Sequence, residues 1–114
     1  MTREFVRLHE FEKQSKLMGL DENDIREIEN AILDNPSIGD LMPGTGGVRK
    51  LRIALPNRGK SGGARVVYVD YASYSMTYLL SIFTKSEKIN LNRAERNELK
   101  ILVGVLKNEL RKKC

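Results

Sequence analysis

The spacing of the hydrophobic residues changes near Val48 from a helical period to a period of two, and no other feature constrains the fold of this 114-residue chain as strongly. Before that point, isoleucines recur at helical spacing from Ile25 to Ile32. Asp21 offers these residues an N-cap and Pro36 ends the run, which predicts a helix. After Val48, the alternation of Val, Leu, Ile and Tyr predicts three strands, at 48–55, 64–71 and 76–85.

The connections between these strands indicate how they pair. A glycine-rich loop at 56–63 joins the first two strands, and a short turn around Ala72 and Ser73 joins the last two. Short links between neighbouring strands imply an antiparallel meander. The piece before the first helix fits either a short strand or a helix start, and a capping pattern at Asn92 and Glu95 precedes a leucine stripe typical of a C-terminal helix. We therefore expect one α+β domain over 1–114, a small antiparallel sheet with helices packed on one face.

Positive charge is concentrated in the segment 41–69. This segment holds six basic residues, no acidic residue and six of the nine glycines. The formal net charge of the chain is +5, and the residues outside the segment, 14 basic and 15 acidic, nearly cancel. Cations grouped around glycines, where backbone N–H groups approach a ligand closely, suit a polyanion and above all a phosphodiester chain. A solvated outer face of the sheet is the alternative interpretation.

Composition narrows the class of protein. Charged residues make up 31% of the chain and hydrophobic residues 40%, as in ordinary soluble proteins. No apolar run approaches the roughly 20 residues of a membrane span, and the N-terminus lacks the apolar middle of a signal peptide, so we expect a cytoplasmic protein with no membrane partner. The sequence shows no metal-ligand spacing and its one cysteine is Cys114, so we expect no metal, no cofactor and no internal disulfide.

Strand alternation gathers several cations on one surface. On the first strand Lys50 and Arg52 face the same way, while the residues between and beside them face the other. Arg65 opens the middle strand and is expected to lean over the same side. The third strand divides into two sides. We expect the core side to carry Tyr78, Leu80 and Ile82, and the open side to carry Ser81, Phe83 and Lys85. Together these residues predict a cationic groove.

Three segments, in this order, resemble the HigB and RelE type of toxin from bacterial toxin–antitoxin pairs: GTGGVRKLRIA, KSGGARVVYVDY and YLLSIFTKSEKINLNRAERNELKILV. The similarity is closest to the HigB-like branch, which carries the GTGG and GGxR segments. It implies a RelE-like toxin fold and ribosome-dependent, metal-independent cleavage of translated messenger RNA, which inhibits translation and growth. It also implies a small cognate antitoxin, which we expect to be a helix-turn-helix protein. The toxin would be brought to DNA only through this antitoxin.

The resemblance also implies which residues act. The family's catalytic positions fall on Lys50, Arg52, Arg65 and Lys85. We further expect RNA contacts from Arg49, Arg58, Lys60, Phe83 and Lys88. Several relatives carry an arginine where this chain has Ser86, and some carry a tyrosine that 87–91 lacks. The general acid and base are therefore not assigned by the resemblance.

The chemistry leaves the proton-transfer groups open. Cleavage of RNA through its own 2′-hydroxyl needs a base, an acid and positive charge at the phosphorane. The only histidine, His9, is far from the cationic segment in sequence, so lysines beside other cations, Lys50 and Lys85, are the next candidates because like charges favour a neutral lysine. A non-catalytic module that binds RNA or the ribosome through the same groove is the second hypothesis. Tyr68 and Tyr71 either stack on bases or fill the core.

Overall fold

The computed structural model describes residues 3–54, 63–84 and 91–113. Its elements follow one another as β1 (Glu4–Arg7), α1 (His9–Leu17), α2 (Glu22–Asp34), β2 (Asp40–Leu41), β3 (Arg49–Ile53), β4 (Ala64–Tyr71), β5 (Met76–Thr84) and α3 (Arg93–Lys113). A single 3-10 turn, Ala72–Tyr74, joins β4 to β5. Within these described residues, no helix combines the length and the apolarity needed to cross a bilayer.

Two reciprocal capping boxes fix where α2 and α3 begin. The Asp21 carboxylate accepts from the Asp24 N–H at 2.9 Å, and the Asp24 carboxylate accepts from the Asp21 N–H at 3.0 Å. Asn92 and Glu95 make the same exchange ahead of α3, at 2.8 and 3.0 Å. Because each box satisfies N–H groups that a helix start leaves unpaired, both predicted helix starts are confirmed.

The sheet has five strands in the order β1-β5-β4-β3-β2. The meander of β3, β4 and β5 is antiparallel, as predicted, whereas β1 lies parallel to β5 and β2 pairs with β3 at the far edge. The N-terminal piece is thus both a strand and a helix, with Phe5 in β1 and Phe11 in α1. Strands of four and two residues are too short to give a period in sequence.

The helices are divided between the two faces of the sheet, whereas the sequence pattern predicted that they pack on one face. Helices α1 and α2 pack on the face that carries Leu51, Val66 and Tyr68, which we call the α1/α2 face. Helix α3 packs on the opposite face, against Val67 and Val69, which we call the α3 face. Strand β4 is buried continuously over 64–69, the pattern of a strand covered on both sides.

A β-bulge in β5 changes which of its residues share a face. Val67 pairs with Ser81, but Tyr68 pairs with Leu79, so Leu80 is an extra residue on β5. The expected grouping of Tyr78 and Leu80 with Ile82 is therefore wrong. Tyr78 and Leu80 lie on the α3 face together with Phe83, while Ile82 and Leu79 lie on the α1/α2 face.

A nearly buried ion pair ties three strands together at the other end of the sheet. The Arg3 guanidinium donates twice to the Asp70 carboxylate of β4, at 2.6 and 2.8 Å, and the Thr77 hydroxyl of β5 donates to the same carboxylate at 2.6 Å. Burial works to raise the pKa of Asp70, but the hydrogen bonds from Arg3 and Thr77 outweigh it and leave that pKa below its ordinary value. The start of β1 is thereby fixed across β5 onto β4.

Candidate functional site

Three cations lie side by side on the α3 face, and we call them the cationic patch: Lys50, Arg52 and Arg65. Arg52 of β3 and Arg65 of β4 are direct Cα partners, and Arg65 is in turn the partner of Phe83 on β5. Lys50 lies two residues before Arg52 and so shares its face. Directly opposed residues in antiparallel strands have their Cβ atoms about 5 Å apart, so one phosphate can reach both arginines. The shared face of these residues agrees with the strand alternation.

Arg65 is a buried cation. Only 8% of its surface is exposed. In the described part of the chain it forms no ion pair, and its one hydrogen bond runs from Nη1 to the Ala64 carbonyl at 3.4 Å. A desolvated charge without a counter-charge is costly unless a ligand supplies one. This guanidinium is therefore placed to receive an anion.

The two cations on β3 are more accessible than Arg65. Arg52 is exposed and Lys50 is half-buried. Lys50 also has a carboxylate beside it, because Asp40 of β2 is its direct cross-strand partner. Sequence reasoning missed Asp40, since a strand of two residues leaves no pattern from which its pairing could be predicted. The patch thus carries one acidic side chain at its outer edge.

Arg49 lies on the opposite side of β3 from the cationic patch. Its guanidinium donates to the Gly39 carbonyl at 2.8 Å and to the Ser37 carbonyl at 3.4 Å. These bonds hold the connection between α2 and β2. Nη1 of Arg49 thus has an anchoring role away from the patch, and the expected RNA contact of Arg49 stays a prediction.

Tyr68 fixes the same connection from inside the core. Its hydroxyl donates to the Pro36 carbonyl at 2.8 Å and accepts from the Gly39 N–H at 3.0 Å. A Cβ atom added to Gly39 would lie 2.9 Å from the Tyr68 ring and 3.1 Å from the Lys50 carbonyl oxygen, so only glycine fits there. Burial raises the pKa of Tyr68, which keeps its hydroxyl a donor. Tyr68 is fully buried, so it fills the core and does not stack on bases.

The GTGG segment shapes the turn that leads into β3. Gly44, Gly46 and Gly47 adopt positive φ angles of 77°, 81° and 113°, which side-chain-bearing residues rarely adopt. The buried Thr45 hydroxyl donates to the Met42 carbonyl at 2.6 Å and accepts from the Val48 N–H at 3.1 Å. The segment therefore sets the path by which the chain enters β3 and carries Lys50 onto its face.

Tyr71 attaches α3 to the sheet. Its hydroxyl donates to the Val103 carbonyl at 3.0 Å, and its ring meets that of Tyr78 edge-on at a centroid distance of 6.0 Å. Burial raises the pKa of Tyr71 to about 12, so the hydroxyl remains a donor near neutral pH. This tyrosine, like Tyr68, has a structural role in place of base stacking.

A pocket of about 590 Å³ opens beside the patch, between α1, the end of β5 and the start of α3. Phe83 connects the two features, because it lines the pocket and is the strand partner of Arg65. The described lining residues are Glu10, Gln14, Val67, Ser81, Ile82, Phe83, Leu91, Glu95, Glu98, Leu99 and Leu102.

The remaining expected residues fall elsewhere. Arg58, Lys60, Lys85 and Lys88 lie outside the described residues. His9 is exposed at the first turn of α1 and lines a separate pocket with Lys13 and Lys16.

Comparison with known proteins shows the family. A model of the RelE toxin of the RelE/RelB toxin–antitoxin system matches residues 2–113. The structure of a mutant E. coli toxin RelE in the free state superposes with a TM-score of 0.51 and 15% sequence identity, over 77% of this chain and 88% of that chain, a likeness that shows the fold. Membership implies a cognate antitoxin as partner. The chain belongs to the RelE toxin family and is the toxin of a toxin–antitoxin system.

Proposed function

We propose that this chain is a metal-independent endoribonuclease that cleaves translated messenger RNA on the ribosome and so inhibits translation and growth. The observation that carries the proposal is the buried guanidinium of Arg65, which has no counter-charge in the described part of the chain and stands opposite Arg52. Two forked donors on one face match the oxygens of a phosphodiester. We also propose that the chain acts in the cytoplasm, that residues 1–114 form a single domain, and that the chain belongs to the HigB-like branch of the family.

The reaction uses the RNA as its own nucleophile. The 2′-oxygen attacks the adjacent phosphorus, the bond from phosphorus to the 5′-oxygen breaks, and the products are a 2′,3′-cyclic phosphate and a 5′-hydroxyl. A base takes the 2′-hydroxyl proton and an acid protonates the departing 5′-oxygen. Arg52 and Arg65 stabilise the extra negative charge of the phosphorane. Lys50 is the proposed proton-transfer group on the described face, with Lys85 as its candidate partner.

RNA contacts beyond the reacting phosphate are assigned to Phe83 and to three cations outside the described residues, Arg58, Lys60 and Lys88. The cognate antitoxin is proposed to be a helix-turn-helix protein, and it alone would connect this chain to DNA. A non-catalytic module that holds RNA or the ribosome is the second candidate function, because a buried cation also suits binding without cleavage.

Induction of the wild-type chain in a bacterial host, with primer extension on translated messages, separates the two functions. Cleavage predicts new 5′ ends inside reading frames, and Arg65→Ala should abolish them and relieve growth arrest, because a lost transition-state contact costs about 10²-fold or more. Arg26→Ala, which removes the same charge from the exposed surface of α2, serves as the matched control. Ribosome binding without any cuts would favour the non-catalytic module, and full toxicity of Arg65→Ala at equal expression would refute the role of Arg65.

A further inference from the structure

The pocket beside the cationic patch is large enough for a nucleoside and lies within reach of any phosphate held there. Its volume of about 590 Å³ falls in the usual range of small-molecule sites. Phe83 contributes to its wall and neighbours Arg65, while Val67 and Ser81 continue the row in which Lys50 lies. An RNA backbone that crosses the arginines therefore has a cavity for a base beside it.

The walls of the pocket are suited to the flat faces of a base. The described aliphatic and aromatic lining comes from both layers, from Phe83 of β5 and from Leu91, Leu99 and Leu102 around the start of α3. A base that leaves the stack of its strand regains apolar contact with such side chains, which offsets part of the unstacking cost.

The rim of the pocket presents hydrogen-bond acceptors, and one of them has no partner among the described residues. Glu95 is engaged in the α3 capping box, and Glu10 accepts from the Gln14 side chain at 3.2 Å. Glu98, one turn further along α3, lines the pocket but has neither an ion pair nor a hydrogen bond to any described residue. A carboxylate only accepts hydrogen bonds, so it selects a base edge that donates.

We propose that this pocket binds a guanine of the substrate RNA, with the Glu98 carboxylate accepting hydrogen bonds from its N1–H and N2–H groups. Guanine presents these two donors side by side, which matches the two oxygens of a carboxylate. Uracil offers one donor between two carbonyl oxygens, which the carboxylate repels. The inference rests on the proposed ribonuclease function, since it names the base that the same site prefers.

The test compares guanosine with inosine, which lacks only the N2 amino group. Programmed ribosomes carry messages with guanosine or inosine next to the cleaved bond, and single-turnover rates are measured for each. Wild type should cut the guanosine message about tenfold faster or more, the value of one hydrogen bond to a charged group. Glu98→Gln should reduce that ratio to about one while still cutting the inosine message. Glu109→Gln, which removes a carboxylate further along the same helix, should leave the ratio unchanged.

A binding measurement tests the base pocket independently of the ribonuclease function. Guanosine and inosine monophosphates are titrated into the wild-type chain, and amide shifts are followed by NMR at Ser81, Phe83 and Leu99. Saturable shifts there with GMP, weaker with IMP, support the pocket even if wild type cuts no message, an outcome that would refute only the proposed function. An unchanged guanosine preference in Glu98→Gln would overturn the inference. So would GMP shifts confined to other surfaces, or a Glu98→Gln defect confined to antitoxin binding, which would assign the pocket to a protein partner.

Discussion

Arg52 and Arg65 are direct cross-strand partners, so two permanently charged guanidinium groups stand opposite each other on β3 and β4. Like charges in this position destabilise a sheet by a few tenths of a kcal/mol up to about 1 kcal/mol. No described carboxylate forms an ion pair with either of them. The pairing therefore lowers the stability of the sheet, and it places two positive charges where an anionic ligand can neutralise them.

The first prediction follows from this repulsion. Arg52→Ala should leave the free energy of unfolding unchanged or raise it by up to about 1 kcal/mol, because Arg52 is exposed and its removal relieves the repulsion. The same variant should lose most RNA cleavage. Chemical denaturation and single-turnover assays on one protein preparation check both halves. A variant that is less stable by more than about 1 kcal/mol would show that Arg52 has a structural contact not accounted for by its exposure.

The second prediction concerns ionic strength. If the cationic patch binds RNA phosphates, the affinity for RNA should fall with salt on a log–log plot, by about 0.7 for each phosphate neutralised on a single strand. Arg52→Ala should reduce the slope by about that amount, whereas Arg26→Ala on α2 should not change it. Equilibrium binding at several salt concentrations measures the slopes. A response that is flat, or equal in all three proteins, would contradict phosphate binding by the patch.

The third prediction concerns the support of β3. Tyr68→Phe removes the hydroxyl that joins Pro36 and Gly39, and it leaves a buried N–H and a part-buried carbonyl without this partner. The expected loss of stability is about 1 to 3 kcal/mol. Tyr74→Phe is the matched control, because Tyr74 lies half-buried on the 3-10 turn, with no hydroxyl hydrogen bond to a described residue. Equal unfolding free energies for the two variants would argue against this role of Tyr68.

Local chemistry explains what the sequence could predict. The capping boxes at Asp21 and Asn92 each use two residues that lie only three positions apart in sequence, so the helix starts could be predicted directly. Strand alternation likewise placed Lys50, Arg52 and Arg65 on one face, because β3 and the first half of β4 contain no irregularity.

Long-range pairing explains what the sequence could not predict. The bulge at Leu80 shifts the alternation of β5 by one residue, and nothing in the residues themselves marks its position. Asp40 reaches Lys50 only through a two-residue strand, whose pairing depends on the turn that follows it. The second covered face had one signal, the apolar run from Val66 to Val69, but Lys50 and Arg52 on the neighbouring strand favoured the interpretation of an open face.

The fourth prediction concerns pH. The pKa of Asp70 is lower in the folded chain than its ordinary value, so the Arg3–Asp70 pair contributes stability at neutral pH that is lost as the pH falls below about 4 towards the folded pKa. Asp70→Asn should cost about 3 kcal/mol at pH 7, since it removes the negative charge that faces a nearly buried guanidinium. It should also flatten the acid limb of the stability curve. Denaturation curves between pH 3 and 7, with Glu27→Gln as the exposed control, make the comparison. An acid limb of the same steepness in Asp70→Asn would assign the acid sensitivity to other carboxylates.

The last prediction asks whether Lys50 moves a proton or only carries charge. Lys50→Arg keeps the positive charge but replaces the ammonium with a guanidinium, which does not release a proton near neutrality. If Lys50 is the acid or the base, the cleavage rate of Lys50→Arg should fall nearly as far as that of Lys50→Ala. If it only neutralises phosphate, arginine should restore most of the rate.

The partner of Lys50 across the strands sharpens this test. Asp40→Asn removes the neighbouring carboxylate with little change of shape, and Asp34→Asn at the exposed end of α2 is its control. Asp40→Asn should tighten RNA binding if Lys50 holds phosphate, since a repulsive charge has been removed from the edge of the patch, and Asp34→Asn should leave the affinity unchanged. Tighter binding in Asp40→Asn together with full cleavage rates in Lys50→Arg would exclude proton transfer by Lys50. Catalysis would then rest on the orientation of the 2′-hydroxyl and on the charge of Arg52 and Arg65, with the ribosome supplying the groups that exchange protons.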